Sequence, residues 1–426
     1  MKPLPGAPEI AMRNGTLFVE DLPVSSLARR FGTPLYVYSL ASMQRALSAY
    51  QVALDGRDHL VCYAIKANSS LAVLQWFAGQ GCGFDIVSGG ELERVLMAGG
   101  DAAKVVFSGV GKTRAEMARA LDVGVLCFNV ESLDELDVLA EVARTLGRRA
   151  RVSLRVNPDV DPKTHPYIST GLRGNKFGIA HDAAAAAFRH AADQPHIEVV
   201  GIDCHIGSQI TDASPYVEAI DRLLDLVEAV EADGIAIAHI DVGGGLGITY
   251  DAEQPPAAGE LVAGLLERID ARGHGHRKLL FEPGRSLVGN AGLLVSEVLY
   301  LKPGADKNFC IVDAAMNDLV RPALYDAWMA IVECERRSVP ARSFDVVGPV
   351  CESGDWLGRD RSLAVARGDF VAVLSAGAYA MSMASNYNSR PRPAEVMVSG
   401  DRVWLIRDRD SMADLVHGER LRPAGE

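Results

Sequence analysis

The chain has no surplus of positive charge: 43 lysines and arginines stand against 55 aspartates and glutamates, a formal net charge of -12. An acidic surface lacks the field that draws in a polyanion, so no nucleic-acid partner is expected. The seven cysteines are odd in number and scattered, with no CxxC pair. That excludes a disulfide framework and a zinc knuckle, and no metal site is expected. No stretch approaches the ~20 consecutive apolar residues that a membrane-spanning helix requires. The opening MKPLPGAPEIAMRNG puts prolines where a signal peptide needs an unbroken apolar run. The expectation is a soluble, cytoplasmic protein with no membrane partner. Internal repeats and long low-complexity tracts are also missing.

What is present is a chain of 426 residues, 48% of them apolar, which is long enough for two domains. Short apolar runs rich in β-branched residues recur between about residues 60 and 285, each followed by a segment of helical composition. They are LVCYAIKAN, FDIVS, KVVFSG, VLCFNV, RVSLRVNP, VVGIDCHIGSQ, AHIDVGGG and LLFEPGR. The predicted fold class is therefore α/β. The pattern matches a (β/α)8 barrel over residues 36–285, with its active site at the C-terminal ends of the strands. After Arg285 the texture changes to short β-rich segments with frequent turn signals, predicting an all-β sandwich or barrel. Residues 1–35 and 286–426 are expected to form that domain together.

The predicted strand ends carry Lys66, Asp85, Ser108, Asn129, Arg155, His205, Gly243 and Glu282. Burying unpaired charge is costly, so convergence on one ligand explains this set economically. Lys66, between Ala64 and Ile65, is placed for Schiff-base formation with an aldehyde cofactor. Gly243, Gly244, Gly245 and Gly247 follow the seventh strand, where backbone N–H groups and a following helix N-terminus would favour a phosphate. Glu282-Pro283-Gly284-Arg285 ends the eighth strand, and barrels of this kind commonly bind phosphate after strands seven and eight. A carboxylate such as Glu282 can keep a pyridine nitrogen protonated and so preserve its power to accept electrons. The flat ring of His205 suits stacking. For Asp85 and Arg155 a purely structural ion pair is an equal reading.

In the β-rich part, Arg321 and Tyr325 lie four apart in RPALY and would share one face of a helical turn. GPVCESGDW gathers Cys351, Glu352 and Asp355 in a Gly-bounded loop, where a proton-transfer role is plausible. Tyr379 in SAGAYA completes the group.

The motifs YAIKAN, FDIVSGGEL, THPYISTG, NKFGI, CHIGSQI, DVGGGLGI, FEPGRSLV, RPALY, GPVCESGDWL and GAYAMSMASNYNSRPRPAEV occur in that order. Together they resemble the alanine racemase-like enzymes that use pyridoxal 5'-phosphate, and within that fold the diaminopimelate decarboxylases. The resemblance spans nearly the whole chain. It implies Lys66 as the Schiff-base lysine, Glu282 at the pyridine nitrogen and His205 stacked on the ring. Asp85 and Arg155 would lie beside the cofactor, with Ser208, the loop of Gly243, Gly244 and Gly245, then Pro283, Gly284 and Arg285 around its phosphate. It implies Arg285, Arg321 and Tyr325 for a substrate carboxylate and Glu352 for the distal amino end. Tyr379 would touch both molecules, and Cys351 would protonate the product carbon. The cysteine loop would enter from a second subunit, making a head-to-tail homodimer with shared sites. The implied reaction takes meso-2,6-diaminopimelate to L-lysine and CO2, the last step of lysine biosynthesis.

Glu282 argues against a racemase, which would carry an arginine at that position. Decarboxylases of ornithine, arginine or carboxynorspermidine remain alternatives. From another class, so does an inactive homologue acting as a binding regulator.

Overall fold

The computed structural model describes residues 3–162, 164, 168, 170–171 and 174–423. His165, Pro166, Tyr167 and Ser169 of the THPYISTG motif lie outside the described residues. The chain divides into two compact units, one of Gln44–Val288 and one joining Met1–Met43 to Gly289–Glu426.

The first unit is built on parallel strands: β1 (His59–Ala64), β2 (Gly83–Ile86), β3 (Val105–Phe107), β4 (Cys127–Val130), β5 (Ala150–Asn157), β6 (Ile197–Asp203), β7 (His239–Asp241) and β8 (Lys278–Phe281). Each pairs with the next, and β8 pairs with β1 through Leu279 with His59 and Phe281 with Val61, so the sheet closes into a barrel. The eight strand runs of the sequence are all present. Their near-continuous apolar character follows from burial on both faces, inside the barrel and under the helices. Inside, Leu60, Cys62, Val106, Cys127, Val200 and Leu280 form one cluster.

The helices between strands follow ordinary amphipathic rules. Leu133–Thr145 starts where the Ser132 hydroxyl accepts the Glu135 N–H at 3.2 Å, a cap that contributes about 1 kcal/mol. It buries Leu136, Leu139, Ala140 and Ala143, the spacing of one helical face. Among the described residues no helix is long and apolar enough to cross a membrane.

The second unit is β-rich, with a mixed sheet. Its long strand Gly292–Lys302 pairs antiparallel with Leu35–Ser39, which itself pairs parallel with Ala394–Ser399. The N-terminal segment is thereby woven into the C-terminal sheet. Residues 36–43, counted with the barrel from sequence, belong to this unit because Leu35–Ser39 completes its hydrogen-bond ladder. Its core includes Ile10, Leu17, Val19, Leu35, Val37, Leu293, Val295 and Val396, all fully buried.

Candidate active site

Strand register decides which side chains meet. Ala64 on β1 pairs with Asp85 on β2, and the next residues of the chain, Ile65–Ala67, form a single 3-10 turn that carries Lys66. The Lys66 ammonium makes an ion pair with Asp85, whose side chain is fully buried while that of Lys66 is 35% exposed. From sequence this amine is expected between apolar flanks, with Asp85 as a possible partner. Ala64 and Ile65 are buried, and the amine meets the Asp85 carboxylate.

Glu282 follows β8 at the same end. Its backbone N–H donates to Gly243 O at 2.7 Å, and Pro283 O accepts the Ala64 N–H at 3.1 Å, which ties the EPGR turn to the strand leading into Lys66. Asn129 donates to Glu282 Oε1 at 3.3 Å and to Ser108 Oγ at 3.2 Å. Asp203 on β6 stands opposite Asp241 on β7 and opposite Arg155 on β5. The carboxyls of Asp203, Asp241 and Glu282 consequently lie within 4.8 Å of one another, all buried. Burial and the Asp241, Asp85 and Asp203 carboxyls push the Glu282 acid well up, and burial raises Asp241 to about 6.

Arg155 is the buried counter-charge. It bonds Glu131 at 3.0 Å, approaches Asp203 at 4.0 Å, donates to His205 O at 3.4 Å and lies 5.0 Å from the Phe177 ring centre. His205 Nδ1 accepts the Gly244 N–H at 3.1 Å. Burial, with Arg155 and Lys66 nearby, lowers its imidazole well below the usual value, so the ring is neutral and carries its proton on Nε2.

The glycine loop is shaped for close approach. A Cβ on Gly244 would stand 2.1 Å from Glu282 O, and Gly245 has φ 103°, a conformation that side chains disfavour. The loop does not lead into a helix: the next one begins at Ala258, because the intervening DAEQPP run with Pro255 and Pro256 delays it. The helix dipole expected at this loop is therefore absent from it. Beside the loop, Arg285 donates to Tyr250 OH at 2.6 Å and to Ser208 Oγ at 3.0 Å.

Thus Lys66, Asp85, Arg155, His205, Ser208, Gly243, Gly244, Gly245, Glu282, Pro283, Gly284 and Arg285 all lie at or just beyond the C-terminal ends of barrel strands. Asp203, Asp241, Glu131 and Tyr250 were missed. The available signals were Ile-Asp dipeptides directly before CHIG and VGGG, and the tyrosine closing GGGLGITY.

The other expected residues belong to the β-rich unit. Arg321 and Tyr325 bound the short helix Arg321–Tyr325, with the buried guanidinium 5.8 Å from the tyrosine ring centre. Cys351 is exposed, and its N–H donates to Asn388 Oδ1 at 2.9 Å. The Tyr387 hydroxyl bonds Glu352, a partner that sequence reading missed. Tyr379 adopts φ 53°. Asp355, grouped with Cys351 from sequence, instead accepts the N–H groups of Met316 and Val350, each at 2.7 Å. It shapes the loop.

A barrel with a lysine, a buried carboxyl and a glycine loop at one end finds its counterparts among known proteins. The model of the pyridoxal-dependent decarboxylase, pyridoxal binding domain family matches residues 40–289. A diaminopimelate decarboxylase of Pseudomonas aeruginosa is 57% identical over 411 residues, 96% of this chain and 98% of that protein. The crystal structure of diaminopimelate decarboxylase from M. jannaschii in co-complex with L-lysine superposes with a TM-score of 0.94 at 39% identity, covering 98% of this chain and 99% of that one. That from Helicobacter pylori complexed with L-lysine gives 0.89 at 41% identity, covering 92% and 98%. With such likeness across nearly its whole length, the chain belongs to the diaminopimelate decarboxylase family of pyridoxal-dependent enzymes.

Proposed function

We propose that this chain decarboxylates meso-2,6-diaminopimelate to L-lysine and CO2, the last step of lysine biosynthesis. The reading is carried by one observation: an amine, Lys66, and a buried carboxyl, Glu282, share the C-terminal end of a barrel whose relatives are diaminopimelate decarboxylases. Pyridoxal 5'-phosphate fits the residues there. A protonated pyridine nitrogen needs a carboxylate in a dry place, supplied by Glu282, and a phosphate needs backbone and cationic donors, supplied by the Gly243–Gly245 loop, Ser208 and Arg285. Once bound, the cofactor supplies a ring that accepts the electron pair left behind when CO2 departs.

The chain's own residues do the rest. Lys66 Nζ is the amine that meets the cofactor's aldehyde carbon, and Asp85 positions it. Glu282 keeps a proton on the ring nitrogen. His205 offers its neutral ring face, fixed by the Gly244 N–H. Arg155, locked to Glu131, supports the site from below. Arg285, Arg321 and Tyr325 hold substrate carboxylate, Glu352 the distal ammonium, and Tyr379 contacts both cofactor and substrate. Cys351 Sγ delivers a proton to the carbon that loses CO2. The barrel unit, Gln44–Val288, holds the cofactor, and the β-rich unit contributes substrate-binding and dimer-interface residues. The working form is a cytoplasmic head-to-tail homodimer in which the Cys351 loop of one subunit completes the site of the other.

Measured CO2 release and lysine formation should be substantial with meso-diaminopimelate and weak with ornithine, arginine and carboxynorspermidine. Turnover confined to one of those three would defeat the substrate assignment, and none with any of the four would favour a regulator. Shared sites have their own test. Lys66→Ala and Cys351→Ala chains, each inactive alone, should regain activity when mixed and allowed to exchange, since a mixed dimer holds one intact site. Absence of any regain would exclude sites built from two chains.

A further inference from the structure

Glu282 does not stand alone behind the cofactor site. The ends of β6, β7 and β8 bring Asp203, Asp241 and Glu282 within 4.8 Å of one another, with no exposure to solvent beyond a few per cent. Carboxyls this close in so dry a place cannot all be ionised, because buried like charges at that separation repel strongly, and a proton on one acid relieves the repulsion. Asp241 Oδ1 already accepts the Gly243 N–H at 2.9 Å, whereas Oδ2 is buried and receives no donor. An ionised carboxylate oxygen in that condition is costly; a carboxylic acid hydroxyl pointing at a neighbouring acceptor is not.

The charges around the pair lead to the same requirement. Among the described residues, Asp85, Glu131, Asp203, Asp241 and Glu282 have Lys66 and Arg155 as their ion-pair partners, the first engaged by Asp85 and the second by Glu131 and Asp203. Asn129 from β4 is neutral, as are Cys62 and Cys127 beneath, whose thiols burial pushes well up. The cluster therefore holds at least one proton. Glu282 Oε1 accepts the Asn129 amide at 3.3 Å, an arrangement that suits an anion. Burial favours the neutral form of both acids, but only Glu282 has a positively charged ring nitrogen to offset it.

We propose that Asp241 is a positioning residue: it holds a proton and donates it to Glu282, so that Glu282 faces the ring nitrogen as the single charged partner. This rests on the proposed placement of Glu282 against the cofactor.

Infrared spectroscopy of the holoenzyme tests it. At neutral pH the Asp241→Asn minus wild-type difference should lose the carbonyl stretch of a protonated carboxylic acid. Loss of carboxylate bands instead would overturn the proposal. A measurement that needs no substitution uses enzyme grown on carboxyl-13C aspartate, in which the acid band should move to lower frequency. A band that moves only with labelled glutamate, or no acid band together with bound metal ion, overturns it equally. In turnover, Asp241→Ala should lower kcat on the order of 10- to 100-fold with little change in KM, as for residues that act through another group. Asp241→Asn, whose amide can still donate, should recover most of that loss. Borohydride trapping of the cofactor on the same samples separates the two levels. No trapped cofactor would sink the cofactor placement on which this proposal rests, whereas a normal yield with no acid band would sink only the role of Asp241.

Discussion

Lys66→Ala is expected to remove the visible absorbance of lysine-bound cofactor and to lower CO2 release by roughly 10⁴-fold or more, the scale of losing an active-site nucleophile. No other described amine shares its surroundings, at the end of β1 with Asp85 on one side and the EPGR turn on the other. The fold should survive. The Lys66 side chain is partly exposed, and Asp85, deprived of its ammonium, can take up a proton rather than remain a buried, uncompensated charge. Circular dichroism and absorbance on the purified variant, with a CO2 assay, check all parts together. A variant that kept both the absorbance and normal turnover would rule out Lys66.

Glu282→Gln should keep the cofactor and lose the chemistry. The amide fills the same space beside Asn129 but cannot hold a proton on the ring nitrogen, so kcat should drop roughly 10²- to 10³-fold, comparable to removing one preorganised electrostatic group. Substrate KM should change much less, because the substitution leaves the residues proposed to hold the substrate in place. Steady-state kinetics together with cofactor content decide the matter. Normal kcat in a fully loaded variant would mean that the ring nitrogen's protonation is set by something other than Glu282.

Much of the barrel was legible because parallel strands buried on both faces read as short apolar runs, and because charge at the end of such a run is too costly to be incidental. Lys66, Asp85, Arg155, His205 and Glu282 were found on that ground. Asp203 and Asp241 were not. Each lies next to a motif that drew attention, but a single aspartate closing a strand looks like a turn residue, and what brings the pair together is cross-strand register, which no local pattern records. Tyr250 and Glu131 escaped for the same reason: their importance lies in holding Arg285 and Arg155, partners 35 and 24 residues away. The helix expected after the glycine loop failed because the strand-then-helix rhythm was extended across a proline pair that delays the helix to Ala258. Likewise Cys351, Glu352 and Asp355 share a loop but not an orientation, since two backbone N–H groups claim Asp355.

The most direct measurement is borohydride reduction of the purified, cofactor-loaded enzyme followed by digestion and mass mapping. A single pyridoxyl group on the peptide containing Lys66, lost when substrate analogue displaces it beforehand, is the expected result. A label on Lys112 or any other lysine, or active enzyme that traps no label at all, would contradict it.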